Sequence, residues 1–362
     1  MLTFLLACAS DYEIRGTKPD VDPGMITECD FSPVAVTKLS SYDCNPVFDG
    51  GESGVNSVSF YTTEVLGHPF YQIWYTDNDG AMNYAASSDG TNWNTHPKNP
   101  LFELIPGQWD QDSIAGQVVV WDPVEDEYVM AYQGFTLGTG EFDPNTFEVD
   151  NGIWGLGIST SPDGVQWTKH PNNPVINFTA LDPFTSLIQP CWPLTITLQR
   201  QVFQGYIAAA SNDFFSGAGD TCSMYSMNAF NAGSWTINEQ QPVLVGDQPY
   251  ESKGFASAAV VEYNDVMYMF YVGFNAWVEY TGYKSAQNMT LNLATSVDGG
   301  NTWTKDPNNP IPINQTAALE ISNVGAQVIG SRIHLWVTDK YDDSEAVGYY
   351  LFEPDIEIHG AE

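Results

Sequence analysis

The sequence is poor in positive charge. Lys and Arg number 11 in 362 residues against 45 Asp and Glu, a formal net charge of −34. Nucleic acid and anionic membrane surfaces draw most of their affinity from cationic side chains, so neither is expected as a partner. Histidine is scarce as well. His68, His96, His170, His334 and His359 show no metal-ligand spacing, which argues against a zinc site. There is no Gly-x-Ser-x-Gly elbow, no phosphate-binding loop and no dinucleotide fingerprint. Thr76 to Gly80 (TDNDG) has the look of a calcium loop but lacks the downstream glutamate. It reads as a turn, a structural calcium ion is unsupported, and no cofactor is expected. No run is apolar enough to span a bilayer. What the chain does have is a 43% hydrophobic fraction with 14% aromatics, enough for a packed core and too much for a disordered acidic chain.

Residues Leu2 to Ala7 are apolar and run into Cys8, and Leu5-Leu6-Ala7-Cys8 resembles the lipobox at which bacterial lipoprotein signals are cut and acylated. That resemblance implies a signal over residues 1–8, a lipid on Cys8 and an extracytoplasmic protein of the bacterial envelope, or a secreted one. The basic n-region of a secretory signal is missing, since no Lys or Arg precedes Arg15. Residues 9–29, with Pro19, Pro23 and several acids, read as a tether. With Cys8 set aside, Cys29, Cys44, Cys191 and Cys222 remain, an even number that fits two disulfides in an oxidising compartment. Cys29 with Cys44 and Cys191 with Cys222 are the local pairings among three connectivities.

The strongest signal is an internal repeat. SSDGTNWNTHPKNPL (Ser87 to Leu101), TSPDGVQWTKHPNNPV (Thr160 to Val175) and TSVDGGNTWTKDPNNPI (Thr295 to Ile311) are copies of one unit, and a degenerate copy keeps Trp235 and Pro242. The Asp-Gly turns between short β-rich runs, without helical periodicity, predict hairpins. An aromatic strand precedes each copy: Phe70 to Thr76, Glu127 to Gly134, Phe203 to Ser211 and Val266 to Gly273. A fifth, Arg332 to Asp339, has no copy after it. Asn45-Pro46-Val47 repeats the Asn-Pro-apolar ending, so Pro33 to Tyr42 is expected to supply the outer strand that the last unit lacks. The expectation is one all-β domain over residues 30–355, a five-bladed β-propeller closed by its N-terminal segment, with a tail at 356–362.

This pattern resembles the five-bladed glycosidase-like propellers of the arabinanase, β-xylosidase, invertase and levansucrase group. In the arabinanase and xylosidase branch, three carboxylates project from the starts of the innermost strands as general base, pKa modulator and general acid. Position by position, they are not found here. Ser57 or Asn56 stands in place of the first acid, Ala115 and Gly116 at the second, and Gln189-Pro190 or Cys191-Trp192-Pro193 at the third. Asn323 to Gly330 (NVGAQVIG) lacks the histidine that often sits beside the central metal in that branch.

Other acids gather just before the predicted inner strands. Asp49 and Glu52, then Asp110 and Asp112, Asp182, Glu251 and Glu320 fall on the face opposite the Asp-Gly turns. Asp110, Asp112, Asp182, Glu251 and Glu320 are the candidate catalytic groups, with Trp109-Asp110 and Tyr250-Glu251 favoured because each acid adjoins an aromatic. Trp109, Trp192, Phe214, Tyr250 and Trp277 are candidate sugar-stacking residues. The long loops Phe135 to Asp150 and Phe274 to Thr290 lie on the same face. The reading is a monomeric glycosidase-like propeller that binds, and hydrolyses if any of these acids act, an extracellular glycan. A noncatalytic carbohydrate-binding or protein-interaction scaffold is the alternative, motivated by the missing acids.

Overall fold

The computed structural model describes residues 29–354 except 35–36, 66, 103, 137–141, 144–147, 150–152, 178–187, 200–201, 212–221, 230–234, 239–240, 281–282, 314–320 and 342–343; over 188–199 the backbone alone is described. The described part is almost all strand. The chain opens with β1 (Phe31–Pro33) and β2 (Leu39–Tyr42). A first antiparallel meander follows: β3 (Val58–Val65), β4 (His68–Thr76), β5 (Met82–Ser87) and β6 (Asn94–Thr95). The second is β7 (Ser113–Asp122), β8 (Glu127–Thr136), β11 (Ile153–Ser161) and β12 (Thr168–Lys169), with β13 (Ile176–Asn177) also on β11, and it is interrupted by a hairpin of β9 (Phe142–Asp143) and β10 (Glu148–Val149). The third is β14 (Ile188–Gln199), β15 (Val202–Ser211), β16 (Cys222–Ala229) and β17 (Trp235–Ile237). The fourth is β18 (Gly254–Tyr263), β19 (Val266–Phe274), β22 (Thr290–Ser296) and β23 (Thr304–Lys305), with the hairpin β20 (Ala276–Tyr280) and β21 (Tyr283–Gln287) inserted. One parallel pair, Cys222 with Gly254, merges the third and fourth into an eight-stranded sheet.

The last meander, β24 (Asn323–Ile329), β25 (Arg332–Tyr341) and β26 (Ser344–Phe352), takes its outer strand from the other end of the chain. Leu39, Ser40 and Ser41 of β2 pair with Phe352, Leu351 and Tyr350, and β1 pairs outside β2. This is the expected N-terminal closure. Cys29 and Cys44 bracket the β1–β2 hairpin with a disulfide, and Cys222 is disulfide-bonded to a partner outside the described side chains.

Each meander buries its faces against the next. Inner strands neighbour one another in the order β3, β7, β14, β18, β24 and back to β3. Hydrophobic clusters fill the successive gaps between meanders, and the last joins Trp336, Val347 and Tyr349 to Phe60, Tyr71 and Ile73 of the first. There the indole of Trp336 is stacked between Phe60, at 4.7 Å, and Tyr349, at 5.3 Å. Second strands such as β4 and β19 are covered on both sides, which is why they read as continuous apolar and aromatic runs without alternation.

Two repeated devices explain the sequence motif. In the Asp-Gly turn, Asp89 Oδ1 accepts the backbone N–H of Thr91 and Asn92 at 2.8 and 2.7 Å, while Gly90, at φ 79°, donates to Ser87 Oγ. Asp163 with Ser161, and Asp298 with Ser296, repeat it. Burial alone would push the Asp89 carboxyl up, but hydrogen bonds from Asn92, Thr91 and Ser87 outweigh it and hold it at about 2. Hydrogen bonds from Thr302 and Ser296 hold Asp298 at about 2 as well.

The second device is the Asn of Asn-Pro, whose amide pairs with both backbone groups of one third-strand residue. Asn99 clasps Tyr84, Asn173 clasps Ile158, Asn309 clasps Leu293, and Asn45 clasps Tyr349. The amide extends the ladder where the outermost strand has ended, so the buried backbone groups keep partners.

Candidate functional site

The inner strands enclose a central cavity of about 360 Å³, lined by residues of β3, β7, β18 and β24. An inner strand has one free edge, whose N–H and C=O groups must find partners. Neighbouring side chains supply several: Val119 N–H donates to Ser59 Oγ, Gly116 N–H to Ser57 Oγ, and Val324 N–H to Ser257 Oγ. Ser57 stands where the resemblance places the first catalytic acid. Its hydroxyl donates to Gln117 Oε1 at 2.6 Å, and Gln117 Nε2 donates to the carbonyls of Ser57 and Trp74. The first and second meanders are thus tied by an amide–hydroxyl clasp where the resemblance would have carboxylate chemistry.

Register shifts interrupt β7 between Ala115 and Val118 and β18 between Phe255 and Ser257. Bulges of this kind re-aim side chains near functional openings. Where the inner strands begin, the cavity lining includes Gln117, Ser257 and Asn323. Among the described lining residues one carboxylate occurs, Glu262, exposed near the far, hairpin end of β18.

The favoured acids lie elsewhere. Asp110 is 0% exposed, and its Oδ2 accepts from Lys169 Nζ at 2.7 Å and from Tyr132 OH at 2.9 Å. Glu251, also 0% exposed, is ion-paired through Oε1 to Lys305 and accepts from Tyr271 OH at 2.8 Å through Oε2. The two clusters are copies. In each, the acid precedes an inner strand, the tyrosine is on the second strand (β8 or β19), and the lysine is on the outermost strand (β12 or β23). Burial pushes the Glu251 carboxyl up, against the lowering effect of Lys305 and Tyr271. Burial, then the adjacent carboxylate, pushes Tyr132 and Tyr271 well above the usual phenol range. A general acid or base must reach the proton it transfers. Neither carboxylate lines the cavity, and both already bind a lysine and a phenol.

Glycines make room for these acids. A Cβ on Gly134 of β8 would lie 2.7 Å from both Asp110 Cβ and the Trp109 ring, and one on Gly273 of β19 would lie 2.8 Å from Glu251 Cβ. Trp109 also fills the space beside Gly157 and stacks on Tyr132, at 5.8 Å between ring centres. It is seated between meanders and is only partly exposed. Tyr250 is partly buried beside Glu251, and Trp277 meets Phe274 edge-on at 4.6 Å. Asp112 is exposed and donates its N–H to the Phe135 carbonyl; Asp49 and Glu52 are also exposed. Asp182, Phe214, Glu320 and Cys8 lie outside the described residues, and of Cys191 and Trp192 the backbone alone is described.

Sequence reasoning missed Lys169, Lys305, Tyr132 and Tyr271. A signal existed: Trp-Thr-Lys follows the turn in the second and fourth copies, whereas the first has Trp93-Asn94-Thr95 and the third Trp235-Thr236-Ile237. Those two copies also have the aromatic–acid pair. Among the described residues no group of three or more His, Cys, Asp or Glu is placed to hold a metal ion.

Comparison of the whole fold places it among known structures. A thermostable family-43 glycoside hydrolase superposes with a TM-score of 0.59 at 13% identity, over 85% of this chain and 90% of that one. The chain has a glycosidase-like propeller fold. A structure from the family-130 mannoside phosphorylases and hydrolases gives 0.54 at 14% identity, over 83% and 85% of the two chains. A Bombyx mori family-32 β-fructofuranosidase gives 0.52 at 14% identity over 81% of this chain, which spans 58% of that enzyme. No protein-family model and no curated protein sequence matches the chain.

Proposed function

We propose that this chain is an exported, lipid-anchored, five-bladed propeller that binds a carbohydrate at the mouth of its central channel, without cleaving it through Asp110 or Glu251. One observation carries the reading. Where the inner strands begin, the described cavity lining includes the hydroxyl of Ser257 and the amide of Asn323 and no carboxylate, while the two acids best placed by sequence are buried and held by lysines. Such groups orient a sugar by hydrogen bonds, and hydrolysis needs two carboxylates about 5 to 9.5 Å apart across the bond. The similar structures named above are those of glycoside hydrolases, one from a study of β-1,2 mannosidic linkages, which supports carbohydrate as the ligand class. Export and the lipid rest on Leu5-Leu6-Ala7-Cys8.

Hydrolysis is the second reading, favoured by the exposed Asp112 just before β7; the other sequence candidates, Asp182 and Glu320, lie outside the described residues. Thermal shift and reducing-sugar release over a broad oligosaccharide panel separate the readings. Binding alone predicts a sugar-dependent rise in Tm and no product. Product formation abolished by Asp110→Asn or Glu251→Gln, in variants that remain folded, overturns the proposal. Product abolished by Asp112→Asn supports the second reading, and no Tm response to any glycan supports a protein-interaction scaffold.

A further inference from the structure

We propose that Lys305 and Glu251 condense to a side-chain amide, a covalent crosslink between the two ends of the fourth meander, with Asp247 carrying the protons. The ion pair described above is the reactant state. The crosslink is independent of any ligand at the channel, and it gives a chemical role to a buried acid and a lysine that the channel leaves aside.

Three acceptors surround Lys305 Nζ at the end of β23. It is ion-paired with Glu251 Oε1, lies 2.5 Å from Asp247 Oδ1 and donates to the Val245 carbonyl at 2.6 Å. Glu251 is fully buried and held in place: Tyr271 OH donates to its other oxygen, Oε2, at 2.8 Å, and its Cβ faces the bare Cα of Gly273. Amine and carboxyl therefore meet where the acid is closed to bulk water. Burial pushes the Glu251 carboxyl up, toward its neutral and electrophilic form. Asp247 is the opposite case. Its side chain is more than half exposed, and the hydrogen bond from Lys305 holds it below the usual carboxylate range, so it stays ionised as a proton acceptor. Nucleophile, electrophile and base are thus three side chains in mutual reach through one nitrogen.

The reaction balances within the cluster. Asp247 takes a proton from the Lys305 ammonium, and the freed Nζ lone pair attacks Glu251 Cδ. The C–N bond forms as negative charge builds on Oε2, where the Tyr271 hydroxyl meets it. The Cδ–Oε1 bond then breaks, and Oε1 leaves as water with two protons from Nζ, passed across by Asp247. The nitrogen keeps one hydrogen, and the Val245 carbonyl remains to accept it. An ammonium and a carboxylate have become an amide and one water, with no oxidant and no other reactant. Condensation is unfavourable between free ions in water, but groups fixed in contact react with effective molarities of about 10⁵–10⁸ M. The second meander is the comparison within the same chain. Lys169 and Asp110 form a similar ion pair at 2.7 Å beside Tyr132, yet among the described residues no second carboxylate is in contact with Lys169. That pair is expected to stay ionic.

The experiment takes the full chain, purified, then denatured, reduced and digested with trypsin. A branched peptide is expected in the mass spectrum, joining the segment that ends at Lys253 to the one that ends at Arg332, uncut at Lys305 and lighter by one water than its two parts. Hydroxylamine should leave it intact, which separates it from a succinimide at an Asp-Gly turn, also lighter by one water. Lys305→Arg, which keeps the charge, should abolish the branched peptide in folded protein. Asp247→Asn should lower the crosslinked fraction at least tenfold in freshly synthesised protein. Wild-type protein that is folded by circular dichroism and is cut at Lys305, with no branched peptide, overturns the proposal: the pair is then ionic only. An equal crosslinked fraction in folded Asp247→Asn overturns the proton-carrying role. A branched peptide that joins Asp110 to Lys169 overturns the requirement for a second carboxylate.

Discussion

Lys305, on the outermost strand of the fourth meander, is ion-paired with the fully buried carboxylate of Glu251, as Lys169 in the second meander is with Asp110. In a chain with 11 cationic side chains, two serve to neutralise buried acids. Removing one partner of a buried pair strands the other charge and costs about 3 to 5 kcal/mol. Lys305→Met and Lys169→Met are therefore expected to lower the denaturant midpoint far more than Lys98→Ala, at an exposed site. For Lys305→Met the loss grows with pH. The folded-state pKa of Glu251 is already raised, so its neutral form is available at low pH and the stranded charge appears as pH rises. Chemical denaturation at pH 4.5 and 7.5 checks the sign.

Gly134 and Gly273 face the same two acids from the second strands. A methyl group at either would come within 2.7 or 2.8 Å of an acid Cβ. Gly134→Ala and Gly273→Ala should each destabilise by about 1 to 3 kcal/mol through overpacking. Gly134→Ala should also shift the fluorescence of Trp109 to longer wavelength as the ring is displaced. An unchanged spectrum and midpoint would count against the tight seating.

The four asparagine clasps predict a matched series. Asn99→Ala, Asn173→Ala and Asn309→Ala each leave a backbone N–H and C=O without a partner, at a cost of about 1 to 3 kcal/mol. Asn45→Ala should cost as much and also speed hydrogen exchange in β2 and β26, since it lies at the closure. Replacing Cys29 and Cys44 by serine should remove about 3 kcal/mol, as expected for a crosslink closing a 15-residue separation, with exchange rising first in β1. Exchange measured by mass spectrometry separates the closure from the rest.

Acid should open the turn face late. Asp89 and Asp298 have folded pKa values of about 2, below the ordinary carboxylate value. The stability they contribute is complete above about pH 4 and is lost as pH falls through 2. His334 behaves likewise at a higher pH. Burial, then Arg332, holds it at about 4, so its contribution is complete above about pH 6.5 and is lost as pH falls through 4. Asp298→Asn should flatten the lower limb of the pH–stability curve, and His334→Gln the upper limb. Urea midpoints from pH 7 to 2 read both.

The repeat made the meanders legible because turn and clasp each need particular residues: Ser and Asp to accept N–H groups, Gly for a left-handed φ, Asn for a two-way amide. The closure was legible from Asn45-Pro46-Val47, a clasp whose Asp-Gly turn is missing. The acids were harder. Trp109-Asp110 and Tyr250-Glu251 do stand just before inner strands, but their partners lie 59 and 54 positions away. A carboxylate that will face a lysine looks the same in sequence as one that will face solvent. Only Lys169 and Lys305, present in the two copies with an aromatic–acid pair and absent from the other two, hinted at the difference.

Leu39 pairs with Phe352, nearly the full length of the described chain apart. Contacts between distant parts of a chain form slowly, because the long loop must close before any interaction rewards it. The β1–β2 hairpin therefore has no sheet to join until the last strand has emerged from the ribosome, and ring closure is a post-synthetic event. A chain ending before residue 344 would retain every Asp-Gly turn and lack the strand on which β2 docks, leaving an open edge where the intact protein has none.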